Sequence, residues 1–292
     1  MEVVMILITG ASGNVGREVL KQIAQTGAQV RAAFQSVSKA AAAPSGVELV
    51  TVDFNQPETL RAALKGVDRV FLVGPPTAQL PALERKAVDV IRQSEVGQVV
   101  KLSAMGGREA IYPRQHAQSE DYILSSGVPY TFLRPNGFMQ NMVNYNAPTI
   151  NTQNAFYGSE GDGRVSHIDI RDVAAVAVKA LTEDGHVGNA YTLTGPEALT
   201  NTEIAQILSD DLGREIRFID LPPAELKQAL LAAGVPERSA DALLDLQRLY
   251  REGKAATVTR DVEQILGRKP IRFAQFSRDY KHAFEARERA AS

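Results

Sequence analysis

The sequence predicts an α/β protein with a doubly wound parallel sheet, followed by a smaller, mainly helical C-terminal lobe. Three observations predict this fold. The first half alternates short apolar runs with segments of helical periodicity. Three glycines, Gly10, Gly13 and Gly16, lie between the first apolar run and the first helical segment. Beyond residue 150 the alternation becomes irregular and helical patterns dominate.

The elements of the first half follow from local signals. The first apolar run, residues 3–9, is continuous and rich in β-branched side chains, as expected for a strand buried on both faces. A helix over residues 14–27 ends at a glycine, and Asn55 is expected to cap a helix that has Pro57 in its first turn. Strand, helix and strand at this spacing require parallel crossovers. Further strands are predicted at residues 29–34, 47–52, 68–74, 98–104 and 130–135, and further helices at residues 78–94 and 114–126.

The second half begins with a turn-rich tip at residues 158–163. Helices are expected at residues 172–182 and 201–212, strands at residues 190–195 and 216–221, and helical segments up to residue 252 and again from about residue 259. We therefore expect a Rossmann-type domain at residues 1–150, to which residues 164–195 return. Residues 151–292 would form a substrate lobe, although a helical lobe could equally form the interface of a homo-oligomer.

Composition narrows the classes of function. The 292 residues carry a net charge of −2 without a long basic cluster, so no nucleic-acid partner is expected. The absence of cysteine excludes disulfides, thiolate metal ligands and cysteine nucleophiles. His167, His186 and His282 show no ligand spacing, so no metal is expected. Without a signal peptide or an apolar run near the ~20 residues of a membrane helix, we expect a cytoplasmic protein with no membrane partner.

The glycine triplet indicates a dinucleotide site. Without Cβ atoms, Gly10 and Gly13 let the backbone turn sharply and approach a pyrophosphate, and Gly16 lets the helix pack close to the strand. The free amides and the dipole at the start of the following helix favour an anion. A glycine triplet alone is a weak signal, but its place between a buried strand and a helix makes it specific.

The preferred coenzyme depends on the end of the second strand. Gln35 stands where an NAD enzyme usually places an acid, so nothing there repels a 2′-phosphate. With Arg31 and Lys39 nearby, the sequence favours NADP(H) over NAD(H), although both cations also suit a solvated surface. Asp53 and Phe54 close the third strand, where a carboxylate could meet the adenine amine; an aspartate that starts a helix has the same pattern.

Six motifs cover almost the whole chain in order. They are TGASGNVG (9–16), VDFNQPETLRAALKGVDRVFLV (52–73), QHAQSEDYILSSGVPYTFLRPNGFMQNM (115–142), GDGRVSHIDIRDVAAVAVKAL (161–181), GNAYTLTGPEALTNTEIA (188–205) and VTRDVEQILGRKP (258–270). Together they resemble the NmrA-like, atypical short-chain dehydrogenase/reductase family, closest to its type 2 NAD(P)H:quinone oxidoreductases and triphenylmethane reductases.

The resemblance implies NADP(H) at the glycine loop, a C-terminal substrate lobe and an active site without a Tyr-x-x-x-Lys pair. At Gln35, relatives commonly carry the arginine that holds the 2′-phosphate, so this chain departs from them. By matching position the resemblance implies cofactor contacts from Gly10, Ser12, Gly13, Asn14, Val15, Gly74, Pro75, Ser103, Ala104, Asn136, Gly137 and Phe138.

Residues 103–123 occupy the place where many Rossmann reductases keep that pair. Here Tyr112 is followed four residues later by His116, and the segment contains no lysine. Reduction of a simple ketone builds a localised alkoxide that needs a positioned acid. A quinone instead gives a delocalised anion, and a cationic triphenylmethane dye accepts hydride at carbon without a proton. The missing lysine therefore favours flat, conjugated acceptors.

His116 is the candidate catalytic residue, because it could donate a hydrogen bond or a proton to a quinone oxygen. Glu120 lies four residues further along the predicted helix and could orient the imidazole. A histidine with a purely structural role near a helix start is the alternative. Candidate acceptor-binding residues, for which core packing is equally suitable, follow the sixth strand: Phe138, Met139, Met142 and Tyr145.

The sequence thus predicts an NAD(P)H-dependent oxidoreductase that transfers hydride to a quinone or a similar flat electrophile. The alternative is a redox sensor that holds NADP(H) without turnover and signals to a protein partner, because a fold alone does not choose between the two.

Overall fold

Nine strands are present in the structure, a computed structural model that describes residues 4–36 and 44–285. The six strands predicted in the first half are confirmed close to their expected positions. The strands are β1 Met5–Ile8, β2 Gln29–Phe34, β3 Glu48–Thr51, β4 Arg69–Leu72, β5 Gln98–Leu102, β6 Tyr130–Pro135, β7 Ala155–Gly158, β8 Asn189–Leu193 and β9 Arg217–Asp220. Seven of them form one parallel sheet in the order β3-β2-β1-β4-β5-β6-β8, and β7 pairs with β9 in a separate sheet.

The described residues contain eleven α-helices, none of them long and apolar enough to cross a bilayer. They are α1 Asn14–Ile23, α2 Pro57–Ala63, α3 Leu80–Ile91, α4 Ile111–Ser126, α5 Ala147–Gln153, α6 Ile170–Thr182, α7 Asn201–Leu212, α8 Pro223–Ala232, α9 Glu237–Arg251, α10 Asp261–Leu266 and α11 Phe273–Asp279. The expected cap of α2 is wrong. No side chain caps that helix, and Asn55 instead accepts a hydrogen bond from Lys86 at 2.9 Å.

The central sheet is covered on both faces, as a doubly wound fold requires. Along β1 the side chains alternate: Ile6 and Ile8 pack under α1 and α6, whereas Leu7 faces the opposite layer of α2, α3 and α4. Because α6 and β8 belong to the second half of the chain, the polypeptide returns to the sheet after it has entered the lobe.

The C-terminal lobe has its own apolar core, in which Phe156, Phe273 and Phe276 are fully buried. Its helical character is confirmed, and the parallel pair β7–β9 is added to it. The sequence pattern does not predict α5 or the π-helical turn at Met142–Asn146. The final segment, expected as helical from about residue 259, is instead broken between α10 and α11, where Gly267 adopts a left-handed conformation with φ +68°.

The strand order reverses between β1 and β4, since the chain first extends the sheet from β1 to β3 and then from β4 to β8 on the other side. In open α/β sheets the carboxyl ends of strands at such a reversal leave a crevice that binds ligands. The residues that follow β5 and β6 leave the sheet at the same edge, so the candidate residues of four strands face one region.

Candidate active site

The turn after β1 is built around glycine. Gly10 has φ +62°, and a Cβ atom there would lie 2.8 Å from the Cβ of Val73. A Cβ at Gly16 would lie only 2.2 Å from the Gly10 carbonyl oxygen. The same oxygen accepts the amide of Gly13 at 2.9 Å and closes the turn. Side chains at positions 10 and 16 would therefore force this turn to move.

The start of α1 presents unused hydrogen-bond donors. Gly13 precedes the helix and no side chain caps it, so the amides of Asn14 and Val15 have no partner within residues 4–36 and 44–285. Together with the helix dipole, these donors favour a phosphate group. The side chain of Ser12 is half-buried beside them. The residues present thus fit the pyrophosphate of a dinucleotide.

A cleft of about 460 Å³ opens beside the glycine turn, and Asn14, Arg17, Gln140 and Arg171 are among the residues that line it. Arg171 is held by Asp169, whose Oδ2 lies 2.8 Å from its Nη2. The side chain of Arg17 is exposed, and its guanidinium has no hydrogen bond or ion pair within the described part of the chain. Arg17 is thus an available cation. The sequence pattern does not single it out, because an arginine in a first helical turn is ordinary.

The residues that follow β2 show what could face a 2′-phosphate. Gln35 is exposed directly after the strand. Arg31 is not available for this purpose, which corrects the sequence-based expectation, because its Nη1 donates to the carbonyl oxygens of Ala63 at 2.6 Å and Lys65 at 2.9 Å. Lys39 lies outside the described residues.

The turn after β3 has an evident structural role. The Oδ1 of Asp53 accepts the amide of Asn55 at 2.8 Å, and its own amide donates to the hydroxyl of Thr59 at 3.0 Å. Phe54 packs against the core beneath α2 and α3. Asp53 therefore starts the turn into α2, which is the second of the two roles that its position suggested.

The turn after β4 approaches α3 closely. The Gly74 amide donates to Oε1 of Glu84 at 3.1 Å, and a Cβ at Gly74 would lie 2.5 Å from Leu80. Pro75 follows, half-buried, at the same edge of the sheet. After β5, Ser103 is buried and Ala104 is half-buried. Both turns therefore bring backbone close to the crevice.

Glu120 does not orient His116, and this part of the expectation is wrong. Its carboxylate accepts the hydroxyl of Ser103 and forms two-pronged hydrogen bonds with Arg134, from Nε at 3.0 Å and from Nη2 at 2.6 Å. Both interactions draw Glu120 towards β6. The hydroxyl of Ser103, which was expected to contact the cofactor, donates its hydrogen bond to this carboxylate.

His116 is instead contacted by Lys101 of β5. The lysine is fully buried, and its Nζ lies 2.7 Å from Oε2 of Glu84, 3.0 Å from the carbonyl oxygen of Leu102 and 3.3 Å from Nδ1 of His116. Burial, and then the positive charge of Lys101, lower the pKa of His116 to about 3, so the imidazole is neutral near pH 7. The sequence did contain a signal for this contact, namely a lysine inside an apolar strand, because a buried charge requires a partner.

The residues after β6 divide between structure and surface. The Nδ2 of Asn136 donates to Oγ of Ser166 and to the carbonyl oxygen of Ala255, both at 2.8 Å, and its Oδ1 accepts the amide of Gly137 at 2.9 Å. The side chain of Asn136 thus holds the loop, which leaves it no free donor for a cofactor. Phe138 is half-buried against the core under α1 and α6.

Only part of the expected acceptor surface is open. Met139 and Met142 are buried in the core of the lobe, so the packing alternative describes them. Tyr145 is 73% exposed. Burial raises the pKa of Tyr112, Tyr145 raises it further and Arg238 lowers it, so both side chains act electrostatically on Tyr112. These three side chains form what we call the aromatic mouth.

One of the remaining histidines, His167, contacts the loop that follows β6. His167 is half-buried, its Nδ1 lies 3.2 Å from the Gly137 carbonyl oxygen, and desolvation lowers its pKa to about 4. Among residues 4–36 and 44–285, no three His, Cys, Asp or Glu side chains are placed to hold a metal ion.

A protein-family model described as NAD(P)H-binding matches residues 10–184, which is more than half of the chain. The chain belongs to this NAD(P)H-binding family. The match begins at the glycine turn and ends just after α6, so it covers this turn, α1 and most of the sheet. The cofactor class is therefore shown.

Several relatives of this NAD(P)H-binding chain are named as reductases or oxidoreductases. An NAD(P)H azoreductase from Xenophilus azovorans is 35% identical over 97% of this chain and 100% of its own. The NADPH complex of a quinone oxidoreductase from Escherichia coli superposes with a TM-score of 0.87 at 26% identity, over 96% of this chain and 100% of that one. A Citrobacter triphenylmethane reductase with NADP(H) gives a TM-score of 0.85 at 28% identity, over 95% and 99%. The protein is an NAD(P)H-dependent oxidoreductase related to these enzymes.

Proposed function

We propose that the protein transfers hydride from NADPH to a quinone, an azo compound or a similar flat conjugated acceptor, without a Tyr-x-x-x-Lys pair. The observation that carries this proposal is His116, a neutral imidazole that stands four residues after Tyr112, where a lysine would stand in the pair. The azo and quinone acceptors named for the relatives agree with it.

The bound cofactor supplies the hydride. Reduction of a conjugated acceptor places negative charge on an oxygen or nitrogen that shares it with an aromatic system. The side chain of His116 then needs only to donate a hydrogen bond, and a neutral imidazole can polarise such a group. The Nε2 atom of His116 has no partner within the described residues, so it is free to do this.

The aromatic mouth suits such an acceptor. Tyr145 is on the π-helical turn after β6, Tyr112 is in the first turn of α4, and Arg238 is near the start of α9. Aromatic rings stack on flat molecules, and a guanidinium attracts electron-rich or anionic substituents. We place the acceptor between this mouth and His116.

NADPH is the proposed coenzyme because the glycine turn adjoins a cleft with an unpaired cation, Arg17, and because Gln35 brings no negative charge. Replacement of Arg17 by Ala should weaken NADPH binding about tenfold and leave NADH binding unchanged. Lys21 lines the same cleft but pairs with Glu18 at 3.7 Å, so Lys21→Ala is the matched control and should preserve the preference. Equal loss of both coenzymes in Arg17→Ala would show that Arg17 does not contact the 2′-phosphate.

The activity is tested by the loss of NADPH absorbance with purified protein and a panel of quinones, an azo dye and a triphenylmethane dye, with NADH in parallel. Acceptor-dependent oxidation is expected, and His116→Gln should lower kcat at least about tenfold with little change in NADPH affinity. Tight NADPH binding without turnover on any acceptor would refute the proposal and favour a sensor.

A further inference from the structure

Lys101 and Glu84 form an ion pair in the interior of the sheet layer. The side chain of Lys101 is 0% exposed and that of Glu84 is 1% exposed. A buried pair of this kind gains little stability over apolar side chains of the same size, because both charges lose their hydration. Its presence next to the crevice therefore calls for a role other than stability.

The three protons of the lysine ammonium have three separate acceptors. They are the carboxylate of Glu84, with Oε2 at 2.7 Å and Oε1 at 2.9 Å, the carbonyl oxygen of Leu102 at 3.0 Å and Nδ1 of His116 at 3.3 Å. An ammonium group has no lone pair, so the Nδ1 atom must accept and cannot carry a proton. The single proton of the neutral imidazole must then be on Nε2.

Glu84 joins this arrangement to the cofactor side. Its Oε1 also accepts the amide of Gly74, which lies in the turn after β4, at 3.1 Å. The connected groups therefore run from Gly74 through Glu84 and Lys101 to His116. They belong to the turn after β4, the helix α3, the strand β5 and the helix α4.

We propose that Lys101 and Glu84 are positioning residues that lock His116 as the Nε2–H tautomer and fix its ring, so that it always offers a hydrogen-bond donor to the acceptor. The role at the acceptor rests on the function proposed above, whereas the tautomer is a property of the protein alone. The cation that the segment 103–123 lacks is thus supplied from the preceding strand, behind the histidine rather than beside the tyrosine.

The tautomer can be read directly by long-range ¹H–¹⁵N correlation spectra of the histidine rings at about pH 7, without cofactor or acceptor. His116 should show the Nε2–H pattern. His167 is an internal reference that should show the opposite, Nδ1–H tautomer, because its Nδ1 lies next to the carbonyl oxygen of Gly137 and must donate to it. His116→Gln and His167→Gln variants assign the signals. A wild-type His116 that is charged, or protonated at Nδ1, would overturn the proposal without any further variant.

The double variant Lys101→Met, Glu84→Gln removes both charges and keeps a side-chain oxygen for the Gly74 amide. We expect His116 to become a mixture of tautomers and kcat to fall at least about tenfold, while the Kd of NADPH changes by less than about threefold. The control is the double variant Lys179→Met, Glu183→Gln, which removes an exposed ion pair of the opposite helix layer, with an Nζ–Oε1 distance of 2.9 Å. It should change neither the ring signals of His116 nor kcat.

The two proposals fail in different ways. A wild-type protein that reduces no acceptor refutes the proposed function, whatever the ring spectra show. An active wild-type protein whose His116 signals are the same in the double variant refutes the positioning role alone.

Discussion

Replacement of Gly16 by alanine tests the glycine turn after β1. The added Cβ would lie 2.2 Å from the Gly10 carbonyl oxygen and 2.9 Å from its carbon, so the Gly10 peptide must move by roughly 1 Å to restore ordinary contact. That shift breaks the 2.9 Å hydrogen bond from the Gly13 amide. Overpacking costs about 1–3 kcal/mol and the lost bond about 1 kcal/mol, against a gain of about 1 kcal/mol from the better helix former.

The net loss of about 1–3 kcal/mol is measurable by thermal unfolding. A chain of 292 residues has an unfolding entropy near 0.6 kcal/mol/K, so the Tm of Gly16→Ala should fall by about 2–5 °C. Fluorescence titration should show NADPH binding weakened by more than about tenfold, because the displaced Gly10 peptide belongs to the turn that receives the pyrophosphate.

Gly13→Ala is the matched comparison. Gly13 has φ −79°, which alanine adopts freely, and its Cβ would meet only the Gly10 oxygen, at 3.3 Å. Its Tm should therefore stay within about 2 °C of the wild type, since only the weak capping preference for glycine is lost. NADPH binding should still weaken about tenfold, because a methyl group now stands where the phosphate approaches. Wild-type NADPH affinity in Gly13→Ala, or an unchanged Tm in Gly16→Ala, would refute the reasoning.

Three further outcomes follow from exposure and charge. The pKa of His167 is about 4 when folded and near 6.5 when unfolded, so below pH 6.5 the unfolded state binds more protons at this residue. From pH 6 to 5 His167 alone should lower the free energy of unfolding by up to ~1 kcal/mol, and urea titrations of His167→Gln should lack this contribution. Burial raises the pKa of Glu160 to about 7, so the cost of ionising this carboxyl in the folded state grows as pH rises from about 4.5 to 7. The free energy of unfolding of Glu160→Gln should therefore increase by roughly 1–3 kcal/mol relative to that of the wild type between pH 5 and 8. Tyr145→Ala, at a 73% exposed side chain, should raise KM for a quinone several-fold with Tm and NADPH affinity unchanged, and an unaltered KM would remove Tyr145 from the acceptor site.

The fold could be predicted because its signals are local. Continuous apolar runs such as β1, the glycine turn and regular spacing each act within a few residues, and the structure follows them. The lobe was harder to predict, since the π-helical turn and α5 depend on packing of Met142 and Ile150 against distant helices. No short window of sequence contains that information.

In the candidate site, too, local features could be predicted from the sequence and long-range contacts could not. Gly10, Gly13 and Gly16 could be recognised because a backbone turn is encoded where it occurs. The partner of His116 could not be recognised in this way. Helical spacing suggested Glu120, but the sheet brings Lys101 to the imidazole and Arg134 to the glutamate. Competition between partners is settled by tertiary contacts, which sequence spacing does not contain.

The return of the chain through α6 and β8 has a consequence for protein engineering. A fragment that ends near residue 150 would leave the edge of β6 without its neighbour and the apolar face of α1 without α6, so it should aggregate rather than fold. Exchange of the C-terminal lobe between relatives therefore requires two crossover points, one between β6 and α6 and another after β8. Recombination at a single junction would separate strands that must pair.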